Sequence, residues 1–341
     1  MREIFRQRKM DPAKCLLALD IDGTLTNSEK KVTGKVQHAL DQFVAAGGRI
    51  ILASGRPTYG IVPVAETLGL PEKGGYILAY NGGRVMDCKT GRYLYEKNLP
   101  QDVIPVLARQ AKEFGVNIMT YEDDCIITEQ PEDIYCVKES QINHMKIKQV
   151  KSFSDYVIFP VTKCLLTADG DYLQQVEEKM KAYWGEKLSI CRSEPYFLEV
   201  TANGIDKAGT LARVLEQLQL NKQNLVACGD GFNDISMISY AEIGVAMTNG
   251  SEKTKASADC IAPSNDDDGI AAVIDCLEAS AATPEESLFL DIPAGSPLFV
   301  LKEEVISDTG APIHWTKQIM SGSYFKFNLS NEVNHLSINI D

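Results

Sequence analysis

Asp20 and Asp22 stand two residues apart at the end of an apolar run, in the segment Leu16–Leu25 that reads LLALDIDGTL. A buried strand followed by a sharp turn at Gly23-Thr24 brings both carboxylates to the same edge of a sheet. In open α/β sheets that edge is where ligands bind. Three further segments carry compatible groups: Ser54-Gly55-Arg56, Lys207, and Asp230 with Asn233 and Asp234. Together these residue types match phosphoryl transfer, which spreads negative charge over equatorial oxygens and needs cationic clamps, an in-line nucleophile and a proton donor for the leaving oxygen. Asp20 and Asp230 suit Mg²⁺, a hard ion that prefers oxygen ligands. Lys207, at a helix start, adds a point charge, and the Ser54 hydroxyl with nearby amides can bind phosphoryl oxygens. Taken singly, Asp-x-Asp-Gly-Thr and Gly-Asp-Gly-x-Asn-Asp after a strand are fairly specific signals, whereas a lysine at a helix start is usually a solvated charge and Ser54 alone is weaker still. Their order along one chain is what carries the reading.

For these segments to meet, they must lie on one edge of one sheet. Val36, Leu40, Phe43 and Val44 repeat at helical spacing within Thr33–Ala46, Gly47-Gly48 closes that helix, and Arg49–Ala53 follows as a second buried strand. Strand, helix and strand in succession imply parallel strands with a right-handed crossover, so Ser54–Pro57 falls beside Asp20 and Asp22. The amphipathic segment Tyr59–Leu68 leads to a third strand, Tyr76–Tyr80, which ends at Asn81-Gly82-Gly83. From Arg84 to Phe197 the alternation stops. Short strand-like runs (Arg92–Tyr95, Val116–Tyr121, Cys125–Thr128, Lys163–Ala168, Leu188–Cys191) surround helical patterns at Asp102–Phe114 and Tyr172–Trp184, the α+β texture of an inserted domain. Alternation resumes with the strand Phe197–Thr201, and Asp206 caps the helix Ala208–Leu218. Strands Leu225–Cys228, Ile243–Ala246 and Asp259–Ile261 and helices around Ser251–Ala256 and Gly269–Leu277 complete the pattern. Beyond them, Leu298–Ser307 and Pro312–Met320 flank Asp308-Thr309-Gly310 as a hairpin. The expected fold is α/β: a Rossmann-like, doubly wound parallel sheet core (15–83 and 198–280), an inserted α+β domain (84–197), an N-terminal extension (1–14) and a short β-rich C-terminal tail (281–341).

Composition removes several classes of function. With 341 residues, 44% hydrophobic, the chain has room for two domains and an ordinary core. A formal charge of −13 repels nucleic-acid phosphates, so a phosphorylated ligand must be drawn to a local cationic pocket and nucleic acid is not an expected partner. No apolar run is long enough for a membrane span, and the basic MREIFRQRKM lacks the apolar segment of a signal peptide. Nine scattered cysteines without a C-x-x-C pair fit neither a disulfide framework nor a zinc knuckle, and suit a reducing cytoplasm. Gly55–Gly60 has P-loop glycine spacing but Ile61-Val62 follows it, and Gly229-x-Gly231 meets Asp234 where a dinucleotide fingerprint needs a small residue. His38, His144, His314 and His335 lie outside the clusters and make no triad.

DIDGTL at Asp20–Leu25, Ser54 in ILASGRP, Lys207 in GIDKAGTL and GDGFNDISM at Gly229–Met237 resemble the four motifs of the haloacid dehalogenase superfamily, over about Cys15–Ser280. The insert after Asn81-Gly82-Gly83 resembles the type IIB cap of Cof-like sugar-phosphate phosphatases. The resemblance implies that Asp20 is a nucleophile forming an aspartyl-phosphate, and that Asp22 protonates the leaving alcohol and then activates water. It implies Mg²⁺ held by the Asp20 carboxylate, the Asp22 backbone carbonyl and Asp230. Ser54, Gly55, Lys207 and Asn233 would bind the phosphoryl group, with Asp234, Arg56 and Asn81 in support. The implied partner is a small phosphorylated metabolite. A sugar-phosphate sensor on the same fold and a phosphomutase are the alternatives; intact Asp20 and Asp22 speak against the sensor. Leu288–Leu329 is similar to the C-terminal part of the UTRA effector-binding domain of GntR-type regulators, with no winged helix before it. That tail implies either an edge for homodimerisation or a vestigial fusion, and the sequence leaves both open.

Overall fold

A computed structural model of the protein describes residues 1–8 and 10–278, and farther along only the backbone of 298–306, 312–321, 325–328 and 337–340. The chain opens with the helix Arg2–Arg8 and then lays down β1 (Leu16–Leu19), β2 (Arg49–Ala53), β3 (Tyr76–Ala79), β4 (Arg84–Asp87) and β5 (Tyr93–Glu96). Six strands follow: β6 (Asn117–Glu122), β7 (Cys125–Thr128), β8 (Lys146–Gln149), β9 (Lys163–Thr167), β10 (Leu188–Glu194) and β11 (Phe197–Ala202). Three more complete the strands before the C-terminal region: β12 (Leu225–Gly229), β13 (Ile243–Met247) and β14 (Cys260–Ala262).

The first sheet runs β14-β13-β12-β1-β2-β3-β4-β5, and its six strands from β14 to β3 are parallel. The chain winds outward one way through β2 and β3 and the other way through β13 and β14. The reversal falls between β1 and β12, the place where such sheets open a crevice for ligands. Every residue of β1 is fully buried because helices cover both faces. Leu17 and Leu19 join Phe43, Leu52 and Val226 on one face, while Leu16 and Ala18 join Leu211, Val214 and Ala227 on the other. The helix Gly34–Ala45 starts where Thr33 accepts a hydrogen bond from the Val36 amide, and the helix Lys207–Gln217 starts where Asp206 accepts one from the Gly209 amide. The helix Gly269–Glu278 sets Ile270, Val273, Ile274 and Leu277 into the same apolar cluster as Leu17. No helix among the described residues is long and apolar enough to cross a membrane.

The second sheet runs β10-β11-β9-β6-β7-β8 and has its own apolar core, with Phe153, Leu166, Leu173, Met180 and Leu198. Two strand assignments read from sequence change here. Tyr93–Glu96, expected in the insert, extends the first sheet antiparallel to β4, which itself turns back on β3 through Tyr80–Gly82. Phe197–Ala202, expected to resume the first sheet, pairs antiparallel with β9 and β10 in the second. The apolar run FLEVTA makes a good strand in either place, and only distant partners decide which. The helix Ile134–Asn143 escapes the helical spacing rule because Ile134, Val137 and Ile142 face outward.

In the C-terminal region Leu298–Ile306 (β15) and Pro312–Ser321 (β16) pair antiparallel, as the hairpin pattern predicts; the turn residues lie outside the described ones. A second antiparallel pair joins Phe325–Asn328 (β17) and Ser337–Ile340 (β18). The centre of the first sheet is the most sensitive point of the fold. Leu19→Ala is expected to cost about 2–5 kcal/mol, because the cavity between β1 and its covering helix cannot collapse. Urea unfolding should show a lower midpoint with an unchanged slope.

Candidate active site

The parallel register aligns Leu19 with Cys228 and Leu52, so the residues after β1, β2 and β12 emerge side by side. Asp20, Ser54 and Asp230 therefore meet at one edge, and Lys207 reaches them from its helix start. All ten site residues expected from sequence lie there. Asp20, Asp22, Ser54, Gly55, Arg56, Asn81, Asp230, Asn233 and Asp234 line a cleft of about 590 Å³, floored by the first sheet and roofed by the second. Lys207 lies beneath it.

The Lys207 side chain has no exposed surface. Its ammonium donates to Asp20 Oδ1 at 2.7 Å, Asp234 Oδ1 at 2.6 Å and the Ala53 carbonyl at 2.7 Å, a full set of three acceptors. Burial works against the charged lysine, but Asp20 and Asp234 outweigh it and hold Lys207 above its ordinary range. Asp20 is pushed well up, first by burial and then by Asp234, against the pull of Lys207. Asp230 is raised chiefly by burial, although it accepts a hydrogen bond from Thr24 at 2.8 Å. Asp234 uses its other oxygen to accept from the amides of Asp230 at 3.0 Å and Gly231 at 2.8 Å, which fixes the turn after β12.

Asp22 lies in a different field. Arg56 donates to it in bidentate fashion, with both distances 2.7 Å, and Lys30 donates at 2.8 Å. Burial raises this carboxyl, but the two cations more than reverse that and Asp22 is lowered. Ser54 Oγ accepts from the Arg56 amide at 3.2 Å. Asn81 accepts from Asn233 at 2.9 Å and sits in a turn where it and Tyr80 both have positive φ, 55° and 54°. A bulky aromatic in that region is backbone strain stored at a site. Gly23 turns the chain at φ +83°, and a Cβ there would come within 2.5 Å of Asp230 Oδ2. Only glycine leaves room for that carboxylate. The loop carrying Lys30 is strapped from below: Ser28 donates through its amide and hydroxyl to Asp266, Thr33 donates to Asp268, and Asn265 donates to the Thr26 carbonyl.

Among the described residues, Asp20, Asp230 and Asp234 bring carboxylate oxygens within 4.8 Å of one another. Both oxygens of Asp234 already have donors, whereas Asp20 Oδ2 has none among the described residues, so Asp20 and Asp230 are the better ligands. Their hard oxygen donors and surplus negative charge fit Mg²⁺. The Asp22 carboxylate is turned away from this cluster toward Arg56 and Lys30. Sequence reasoning passed over Lys30, Thr24 and, in the roof, Lys163 and Glu199. The last two each stand alone in an otherwise apolar strand, KCLLT and FLEVTA, which was a usable signal.

A doubly wound sheet with these groups at its switch point defines a phosphoryl-transfer type of site. The family profile described as haloacid dehalogenase-like hydrolase matches residues 17–274, and the chain belongs to that family; a UTRA domain profile matches residues 270–326. It is a hydrolase enzyme, and its curated relatives include proteins named as phosphatases. A haloacid dehalogenase-like hydrolase from Bacteroides thetaiotaomicron is 43% identical, with a TM-score of 0.74 over 76% of this chain and 98% of that one. The subclass IIB sugar phosphatase BT4131 is 26% identical, with a TM-score of 0.65 over 76% and 98%. The 5-amino-6-(5-phospho-D-ribitylamino)uracil phosphatase YcsE of Bacillus subtilis is 29% identical over 260 residues, 76% of this chain and 94% of its own.

Lys207→Met leaves two buried carboxylates without their cation. A loss of about 3–5 kcal/mol at neutral pH is expected. A carboxyl whose folded pKa is raised destabilises only above its unfolded value near 4, so the deficit should shrink as pH falls toward that value. Urea melts at pH 7.5 and 5 read both effects.

Proposed function

We propose that the protein is a Mg²⁺-dependent phosphatase that hydrolyses a small phosphorylated metabolite, a sugar phosphate, through a phosphoryl group carried on Asp20. The observation that carries this reading is Lys207, which fixes Asp20 Oδ1 in a carboxylate that lines the cleft and whose Oδ2 accepts no hydrogen bond among the described residues. Asp20, Asp230 and the backbone carbonyl of Asp22 hold the metal, whose chemistry is to neutralise charge between an anionic nucleophile and an anionic phosphate. Ser54, the Gly55 amide and Asn233 bind the remaining phosphoryl oxygens, and Lys207, oriented by Asp234, keeps positive charge beneath them.

The Asp20 carboxylate attacks phosphorus in line, and the P–O bond to the leaving alcohol breaks as Asp22 gives that oxygen its proton. Asp22 then takes a proton from water, which cleaves the acyl phosphate to restore Asp20 and release phosphate. With Arg56 and Lys30 on it, Asp22 is an anion. An entering phosphate dianion competes for those two cations and frees Asp22 to pick up a proton. The insert, with boundaries we place near Lys97 and Asn203, forms a cap that keeps bulk water out. Support comes from relatives whose names give a sugar phosphatase and a phosphatase of a phosphoribityl compound. The two carboxylates weigh against a pure sensor on this fold.

Asp20→Asn is expected to abolish turnover of p-nitrophenyl phosphate in a protein that still folds; retained turnover overturns the nucleophile assignment. Asp22→Asn should slow a sugar phosphate by about 10²–10⁴-fold. It should slow p-nitrophenyl phosphate less, because a phenolate leaves without help. Chelation by EDTA should stop activity and added Mg²⁺ restore it.

A further inference from the structure

We propose that a second cleft, beside the catalytic one, is an anion-binding site built by Lys30, Lys31, Arg56 and His144. Its ligand is a phosphate or carboxylate group on a small carbon skeleton, held apart from the phosphoryl group that reacts at Asp20.

The second cleft is the larger of the two, about 830 Å³ against about 590 Å³. Asp22, Arg56, Ile142 and Glu194 line both. Asp20, Asp230 and Asp234 line only the catalytic cleft, whereas Lys30, Lys31 and His144 line only the second. A ligand there meets neither of the carboxylates suited to the metal. The cations Lys30, Lys31 and Arg56 outnumber the carboxylates of the lining, Asp22 and Glu194, in a chain whose formal charge is −13. A cationic cleft on an acidic protein concentrates anions that the rest of the surface repels. Val32, Val64 and Ile142 add apolar wall, which is contact for a carbon skeleton.

The turn that carries the two lysines is fixed. Lys30 has a φ of 61°, in the left-handed region that a long side chain seldom adopts. Asn27 holds it there: its backbone carbonyl accepts from the Lys30 amide at 2.9 Å, and its side-chain oxygen accepts from the amides of Glu29 at 3.1 Å and Lys31 at 2.9 Å. The contacts of Ser28 with Asp266 and of Thr33 with Asp268 brace the same loop from outside. From the insert, His144 ends the helix Ile134–Asn143 and is also left-handed, at φ 52°. Strained residues gather where a ligand is clamped, and here one from the core loop and one from the insert line a single cleft. Lys31 pairs with Glu29 at 3.0 Å, but those side chains are 73% and 72% exposed, and such a pair holds little. Its charge is free to turn to a ligand.

Isothermal titration of the full chain with inorganic phosphate in EDTA reads this site apart from turnover, because the phosphoryl position at Asp20 relies on the metal in the proposed mechanism. About one equivalent should bind, with a Kd of about 1 mM or tighter. Lys31→Gln/His144→Asn should weaken binding about tenfold or more and leave turnover of p-nitrophenyl phosphate with Mg²⁺ unchanged. Both residues are exposed, and asparagine accepts the left-handed conformation. Lys31→Gln alone, expected to bind about threefold more weakly, decides the matter if circular dichroism shows the double variant unfolded. Absence of phosphate binding in EDTA overturns the proposal, as does binding that these variants leave unchanged. Kinetics with Mg²⁺ then identify the source of the anion. A loss of about tenfold in kcat/KM of the variant for a hexose bisphosphate, with the monophosphate spared, assigns the site to a second charged group of the substrate. Unchanged bisphosphate turnover assigns it to a separate anion. Failure of the intact protein to cleave p-nitrophenyl phosphate overturns the phosphatase reading, and the titration still decides this site.

Discussion

A lysine ammonium with no exposed surface, shared by Asp20, Asp234 and the Ala53 carbonyl, is the contact on which the site depends. It joins the ends of β1 and β2, the turn after β12 and the start of a helix that follows the insert. A buried ion pair contributes little net stability, because desolvation cancels most of the attraction. Its effect is geometric. With three acceptors in place the ammonium permits one arrangement of those strand ends, and Asp20 is left with one oxygen committed and one available. Three carboxylates around a single lysine leave a surplus of negative charge, of the sign that a divalent cation offsets.

The two acids that open the sequence argument are driven in opposite directions. Burial and Asp234 raise Asp20, whereas Arg56 and Lys30 lower Asp22. Paired titratable groups pushed apart in this way mark a division of labour. The direction is the reverse of what the proposed roles need at the moment of reaction, when Asp20 must be an anion and Asp22 must hold a proton. In the proposed mechanism the cations that lower Asp22 are the ones an entering phosphate would engage.

Much of this was legible in the chain. The run into Asp20, the cap at Asp206 and the turn at Gly229–Asp234 are local signals, and they placed every expected site residue at one sheet edge. What failed was non-local. FLEVTA is equally good beside β12 or beside β9, and the sequence does not say which strand it meets. Lys163 and Glu199 each interrupt an apolar strand, but only the register of β9 against β11 shows that they are neighbours on one face. Lys146–Gln149, a polar edge strand, and Ile134–Asn143, a helix with apolar residues facing out, lack the periodicity that burial imposes.

The helix Gly269–Glu278 belongs to two families at once, since the hydrolase profile runs through residue 274 and the UTRA profile begins at residue 270. Packing assigns it to only one of them: Ile270, Val273, Ile274 and Leu277 fill the wall beside β1. In the folded chain this helix is therefore part of the hydrolase core. A recombination event, or a cloning primer, that followed the profile boundary would open the hydrolase core, whereas one placed past residue 278 leaves that wall intact.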